Sequence, residues 1–323
     1  MNRENILDTV LTMADLAISY DDKIAEAYVI KGWCYDDYGQ YDKALKEYSK
    51  AIELNPNNWK AYYGLANLYY FEDPVKSLEN LHKAASLTHG STEMPTLLRY
   101  IGGELLVTGY IEKSAEYFSR AFDLDGDSAI YLSCLGGIEQ NQGNYEKALE
   151  YYNQAFNIKK NYTDVLNNLA LVSQLIGKND ESLSWYRELQ QQNTLNFNLH
   201  RAGYACSKNG LIDESDNFIN KHIEYCNTIL TTGRRTDIIS YAYYDLAGIY
   251  AFRGDKKKAY YNLRMFSQVE NCFLYMLTLL KDDPMFSTIN TDPEFLQVLD
   301  VMTKKYSKVH EDVGKWLEKQ EGS

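Results

Sequence analysis

Histidine and cysteine are the side chains of this sequence best suited to metal binding or nucleophilic catalysis. The five histidines are His82, His89, His200, His222 and His310, and none stands at the spacing of a metal-binding pair from another. The cysteines are odd in number and never form a Cys-x-x-Cys pair. The five are Cys34, Cys134, Cys206, Cys226 and Cys272. The sequence therefore predicts packing or surface histidines and reduced, buried thiols, with no metal site and no cofactor.

Paired carboxylates are the other groups that could carry out acid–base chemistry. Asp21-Asp22, Asp36-Asp37 and Asp282-Asp283 fall at expected helix ends or polar faces, which favours capping and solvation. The sequence has no glycine-rich phosphate loop, no Gly-x-Ser-x-Gly and no His-Glu-x-x-His. We therefore expect the chain not to be an enzyme.

The net charge and the apolar segments of the sequence argue against two classes of partner, nucleic acids and membranes. The sequence has 33 basic and 45 acidic residues, a net charge of −12, and such a surface repels nucleic-acid phosphates and anionic lipids. The first twenty residues include Glu4, Asp8 and Asp15, so they lack the uninterrupted apolar core of a signal peptide. No later stretch is apolar over the length of a membrane-spanning helix. We expect a cytoplasmic protein without a direct nucleic-acid or membrane partner.

An internal repeat is the strongest feature of the sequence. Residues 25–58 and 129–162 match position by position. The matched pairs are Gly39 with Gly143, Tyr41 with Tyr145, Ala44 with Ala148, Tyr48 with Tyr152, and Ala51 with Ala155. The same offsets of small and bulky residues recur in residues 59–90, 95–128, 163–195, 196–232 and 240–273. Seven units in phase predict a stacked-repeat architecture.

These residues resemble the tetratricopeptide repeat, a helix-turn-helix unit of about 34 residues. The resemblance implies an all-α fold, a right-handed superhelical solenoid of stacked units with a C-terminal capping helix. In this arrangement Gly39 and its equivalents lie in the turn, and Tyr48 and its equivalents fill the groove between paired helices. We expect an N-terminal helix in residues 1–24, seven repeats in 25–273, and a C-terminal segment with its capping helix in 274–323.

Both ends of the sequence depart from the repeat. Residues 4–20 have helical spacing and resemble the second helix of a unit without its first, either as a natural cap or because the chain is cut from a longer protein. Residues 279–296 contain two Asp-Pro-x-Phe turns, which resemble the ends of repeat regions in bacterial multidomain regulators. We expect the amphipathic stretch in residues 294–319 to cap the last repeat, with dimerisation as the alternative.

The resemblance also implies a binding surface, because the first helix of each unit lines the concave wall in this family. The wall positions predicted to bind a partner are Trp33, Lys60, Tyr63, Asn67, Tyr70, Arg99, Asn167, Asn168, His200, Arg201, Tyr204 and Tyr244. Asn168 and Arg201 resemble two members of the carboxylate clamp of chaperone-binding relatives. Phe197, Ser133 and Gly137 depart from that clamp, so a groove for an internal peptide segment is the main expectation.

We therefore expect a non-catalytic scaffold that binds a protein or peptide, as the sensing or assembly part of a bacterial regulator. The alternatives are a sensor of a small molecule or signalling peptide, and a polar wall with no ligand.

Overall fold

The computed structural model describes residues 3–195, 198–232 and 236–322, with the side chains of residues 3–5 and 236–238 left out. Over these ranges the chain is helical and contains no strand. The helices are α1 Arg3–Tyr20, α2 Ala25–Asp37, α3 Tyr41–Leu54, α4 Trp59–Tyr69, α5 Pro74–Ser86, α6 Met94–Val107, α7 Ile111–Asp125, α8 Ser128–Asn141, α9 Tyr145–Ile158, α10 Thr163–Leu175, α11 Asn179–Gln191, α12 Leu199–Lys208, α13 Ile212–Thr232, α14 Thr236–Phe252, α15 Lys256–Phe266, α16 Leu274–Asp282 and α17 Pro293–Glu321. A short 3₁₀ helix, Pro284–Phe286, precedes α17.

Helices α2 to α15 pack as consecutive helix-turn-helix pairs, from α2/α3 to α14/α15. Gly39 and Gly143 lie in two of the turns with φ values of 70° and 78°, a conformation that glycine adopts without steric cost. In the second pair, Asp73 and Pro74 start the helix instead. The Asp73 carboxylate accepts a hydrogen bond from the Lys76 amide at 3.2 Å, and proline fits the first helical turn.

Aromatic rings of the second helices pack against glycines of the first helices. The Tyr48 side chain is fully buried, and a Cβ atom added at Gly32 would lie 2.5 Å from its ring. The same relation holds between Gly136 and Tyr152, at 2.6 Å. Only glycine allows the backbones to approach this closely, so Gly32 and Gly136 fix the spacing within their two pairs.

The pairs stack into the expected right-handed superhelical solenoid. The first helices of the pairs, α2, α4, α6, α8, α10, α12 and α14, form one face, which we call the A-helix wall. Helix α13 is longer than the other second helices and extends to Thr232. Among the described helices, none combines the length and apolar character needed to cross a lipid bilayer.

The C-terminal part of the chain folds back across the repeats. Helix α16 contacts α6 and α8, while α17 contacts both α15 and α5. With 29 residues, α17 is about 43 Å long. Phe295 and Met302 in its first half join the core of α14–α16, and Val313 and Trp316 join the core of α4–α6. Helix α17 thus caps the last repeat and ties it to the second and third repeats.

The cysteines agree with the prediction of unpaired thiols. All are free, four of them are buried, and Cys134 is half-buried. Burial raises the pKa of the Cys134 thiol to about 12, so this group is protonated at neutral pH.

Candidate functional site

The N-terminal part of the A-helix wall carries exposed aromatic and polar side chains. We call Trp33, Lys60, Tyr63, Asn67 and Tyr100 the open wall. Trp33 on α2 is 41% exposed and Tyr100 on α6 is 46% exposed. The rings of Tyr63 and Tyr100 lie 5.0 Å apart, tilted by 35°. The first four of these residues were predicted from the sequence, whereas Tyr100, which directly follows Arg99 on the same helix, was not.

Arg99 and Asn167 are occupied by contacts within the chain. Nη2 of Arg99 lies 2.8 and 2.6 Å from the two carboxylate oxygens of Asp125. The side-chain amide of Asn167 donates to the Thr163 carbonyl at 3.0 Å and accepts a hydrogen bond from Asn198 at 2.8 Å. Asn168 is half-buried on α10. These side chains support the wall, and a partner would have to displace their present hydrogen bonds to use them fully.

Residues 271–286, which we call the docked segment, lie along part of the remaining wall, against α6, α8, Arg201 and Tyr244. At one end, the Asn271 side chain donates to the carbonyl oxygens of Phe71 and Glu72, at 2.9 and 3.0 Å. The Phe273 ring stacks on Tyr70, with centroids 5.1 Å apart and planes 19° apart. Tyr70, predicted as a partner-binding residue, therefore holds part of the chain itself.

The middle of the docked segment lies against α8 and the start of α9. The Thr278 hydroxyl donates to the Asn141 carbonyl at 3.4 Å. The Tyr145 hydroxyl donates to Asp282 at 2.5 Å. Helix α16 therefore packs along the A-helix wall in the manner of a bound helix.

Asp283 anchors the other end of the docked segment. Its carboxylate lies 2.9 Å from Nη2 of Arg201 and accepts a hydrogen bond from the Tyr244 hydroxyl at 2.8 Å. The Arg201 and Asp283 side chains are only 7% and 1% exposed. Burial by itself lowers the pKa of Arg201, but the neighbouring acidic groups, Asp283 first among them, together outweigh burial and raise it, so the guanidinium stays charged.

The predicted wall residues His200, Arg201, Tyr204 and Tyr244 are all buried, so they are not presented to a partner in this conformation. Asp283 of the docked segment supplies an internal carboxylate to Arg201 and Tyr244, where the clamp-like interpretation placed a peptide terminus, and Met285 packs with Tyr204. His200 is instead buried against His222 and Asp245. Phe197, which entered that interpretation, lies outside the described residues.

A cavity of about 390 Å³ lies beside this anchor. Its lining comes from α12, α13 and α14, with Leu171 of α10 and Leu279 of the docked segment closing it. The lining residues are Leu171, Asn198, His200, Arg201, Tyr225, Cys226, Ile229, Tyr241, Ala242, Tyr244, Leu279 and Asp245. Tyr241 is 39% exposed, so the cavity reaches the surface. Its mixed lining can hold a small polar molecule or an ion.

Two histidines meet at one side of this cavity, contrary to the expectation that none would cluster. The rings of His200 and His222 lie 4.2 Å apart. Nε2 of His200 lies 3.3 Å and Nε2 of His222 lies 2.8 Å from the two carboxylate oxygens of Asp245. Burial, followed by the His222 and Arg201 charges, lowers the pKa of His200 well below its usual value. The His200 ring is therefore neutral at physiological pH.

Comparisons with known proteins agree with the repeat assignment. Models described as tetratricopeptide repeat match residues 25–58, 47–84 and 135–162. The solved structure of the APC/C hetero-tetramer Cut9–Hcn1 is similar, with a TM-score of 0.56 and 15% identity over 74% of this chain and 46% of that chain.

Two further solved structures are similar at lower scores. A tetratricopeptide repeat protein from Parabacteroides merdae matches at 15% identity with a TM-score of 0.48, covering 86% of this chain and 98% of that chain. The Pseudomonas aeruginosa pilF structure matches at 19% identity with a TM-score of 0.47, covering 63% and 92%. At these identities the Cut9–Hcn1 likeness supports the shared fold alone.

Proposed function

Because the chain is a tetratricopeptide-repeat protein, we propose that it is a non-catalytic scaffold that binds a protein or peptide on the open wall. The observation that carries this proposal is the exposed Trp33 and the exposed Tyr100, whose ring contacts the half-buried Tyr63 on the adjacent first helix. Aromatic side chains are the residue type most enriched among energetically dominant contacts of protein interfaces. Lys60 and Asn67 add donors beside them, which suits a peptide whose backbone carbonyls need partners.

The docked segment supports this proposal by example. Helix α16 packs against α6 and α8, and the stacked Phe273 and the hydrogen-bonded Thr278 are both held by the A-helix wall. The wall is therefore shaped to accept a helix with an aromatic residue at one end. We propose that the partner presents a similar amphipathic segment to the open wall. The net charge of −12 favours a partner segment that is neutral or basic.

Site-specific photo-crosslinking in the full chain tests the proposal. A photo-reactive phenylalanine analogue at Trp33 or Tyr100 should capture a discrete partner in cells. The same analogue at Tyr261, an exposed tyrosine on the second helix α15, is the matched control. Identical products from all three positions would contradict binding at the open wall.

The captured partner then allows a quantitative test. Truncating a central interface aromatic typically costs at least about 1–2 kcal/mol of binding free energy, so Tyr63→Ala should weaken the measured affinity roughly tenfold or more. The control variant Tyr261→Ala should bind as the unmodified chain does. Equal affinities for both variants would argue against a role of Tyr63 in binding.

A sensor of a small molecule or signalling peptide is the second candidate function. The cavity of about 390 Å³ favours it, because imidazole, guanidinium, carboxylate and phenol groups converge there. A thermal-shift screen separates the two proposals, since a ligand that binds the folded chain raises its melting temperature. That the chain serves a bacterial regulator rests on the Asp-Pro-x-Phe resemblance, and the genomic reading frame around its gene tests that proposal.

A further inference from the structure

We infer that His200, His222 and Asp245 form a binding site for a divalent first-row transition metal ion, with an open coordination position toward the cavity. This inference does not depend on partner binding at the open wall. Imidazole and carboxylate donors in this combination suit Zn²⁺ and Fe²⁺.

The geometry of the donors fits such an ion. Each of the three residues offers one donor atom within 4.8 Å of the other two, and the two histidine–carboxylate distances are 3.3 and 2.8 Å. A tetrahedral zinc site has bonds of about 2.0–2.2 Å, which places its donors roughly 3.3–3.5 Å apart. The two histidine–carboxylate distances are already close to this separation, and the donors, which lie within 4.8 Å of one another, would move closer together around a bound ion.

The second, independent observation is the lack of a hydrogen-bond partner at His200. Its side chain is 3% exposed, and neither ring nitrogen makes a hydrogen bond within the described part of the chain. Nearly all buried polar groups in native proteins have a partner, so an unpaired buried imidazole calls for an explanation. A metal ion supplies that partner, because it binds the nitrogen lone pair directly.

The surroundings of the cluster also permit a cation. The guanidinium of Arg201, the neighbour of His200 in the chain, is compensated by Asp283 at 2.9 Å. The Asp245 side chain supplies the carboxylate oxygens of the cluster. His200 and Asp245 line the cavity, so a bound ion has space for a fourth ligand such as water. The cavity is open to solvent beside the exposed Tyr241, so an ion can enter there.

Metal titration of the full chain tests the inference. After chelator treatment and dialysis, Zn²⁺ is titrated by calorimetry, Fe²⁺ is titrated without oxygen, and Co²⁺ is followed by its visible absorption. We expect one ion per chain, a Co²⁺ spectrum typical of four or five ligands, and a higher melting temperature with the ion. Binding of several ions without a Co²⁺ spectrum would be adventitious surface binding and would overturn the inference.

Variants locate the ion. Asp245→Asn keeps the shape of the side chain and its contact with His222, and it should weaken metal binding at least tenfold. His82→Asn is the matched control, since His82 is half-buried and belongs to no group of three possible ligands in the described part of the chain, and the metal affinity of this variant should be unchanged. Equal affinity in Asp245→Asn and the unmodified chain would overturn the assignment.

If the variants do not fold, NMR of the unmodified chain can still locate the ion. The ring nitrogen NMR signals of His200 and His222 should shift on addition of Zn²⁺, while those of His82 and His89 should stay in place. Unmoved signals of His200 and His222 at saturating Zn²⁺ would overturn the inference.

Discussion

Replacement of Asp283 by alanine tests how the docked segment is held on the A-helix wall. The Asp283 carboxylate lies 2.9 Å from the Arg201 guanidinium and accepts hydrogen bonds from the Tyr244 hydroxyl and the Met285 amide, at 2.8 and 3.0 Å. Removing the carboxylate leaves Arg201 as a buried charge without a counter-ion. Breaking a buried pair in this way typically costs about 3–5 kcal/mol, and we expect a loss of that size in the free energy of unfolding.

A double-mutant cycle separates this pair from general damage. Arg201→Met should also destabilise the chain, because it leaves the Asp283 carboxylate buried without its cation. The double variant Arg201→Met/Asp283→Ala removes both charges, so it should cost less than the sum of the single variants by about 1 kcal/mol or more. The exposed Asp300, which pairs with Lys304 on the same helix, provides the control variant Asp300→Ala, with an expected cost below about 1 kcal/mol.

Urea unfolding followed by circular dichroism measures the global effect, and hydrogen exchange measures the local one. Repeat arrays need not unfold in one step, so the exchange rates of the α16 amides give the more specific readout. We expect α16 to exchange faster in Asp283→Ala than in Asp300→Ala. The reasoning is refuted if Asp283→Ala costs no more than the control, or if the cycle is additive.

Two further predictions concern packing and pH. Gly64→Ala should lower the melting temperature, since its methyl group would overlap the buried Tyr48 ring, at a cost of about 1–3 kcal/mol, whereas Gly103→Ala faces open space and should be neutral or stabilising. Burial raises the pKa of Glu104 well above its usual value, although its hydrogen bond with Ser77 lowers it in part. Its unfolded pKa is about 4.3, so stability falls as pH rises from there toward the folded pKa. Glu104→Gln should therefore raise the melting temperature at pH 7 and change it little at pH 4; no difference between the two pH values would contradict this sign.

The repeat units could be predicted because the residues that determine the fold of a unit lie within or next to that unit in the sequence. Gly39 and Gly143 occupy turns with positive φ, and Tyr48 and Tyr152 are buried at equivalent places. These features depend on contacts within about one unit of sequence, so they recur with its period. The glycines of first helices that contact aromatic rings, such as Gly64, were not predicted, because the recurring residues used to define the repeat lie mainly in the turn and the second helix.

The return of the C-terminal region could not be predicted in the same way. Asn271 bonds the carbonyl of Phe71, and Tyr110 donates to the carbonyl of His310, each across 200 residues. Such contacts leave no local period in the sequence. The repeat pattern identified which side chains belong to the A-helix wall, but which of them stay uncovered is decided by the docked segment.

The histidine cluster was missed for a related reason. His200, His222 and Asp245 lie on three different helices and in two different units, so no short motif connects them. The cluster could have been predicted from polar residues at buried positions of neighbouring helices. These positions become apparent only when the units are aligned and their stacking is considered.

The central claim is that the docked segment divides the A-helix wall into a covered part and an open part. Hydroxyl-radical footprinting of the full chain, read out by mass spectrometry, tests it without a partner. Tyr100, at 46% exposure, should be oxidised several-fold faster than Tyr204 and Tyr244, at 4% and 5%. Comparison among tyrosines keeps the intrinsic reactivity constant. Oxidation of Tyr204 and Tyr244 at the rate of Tyr100 would contradict the account, because it would mean that the docked segment leaves the wall.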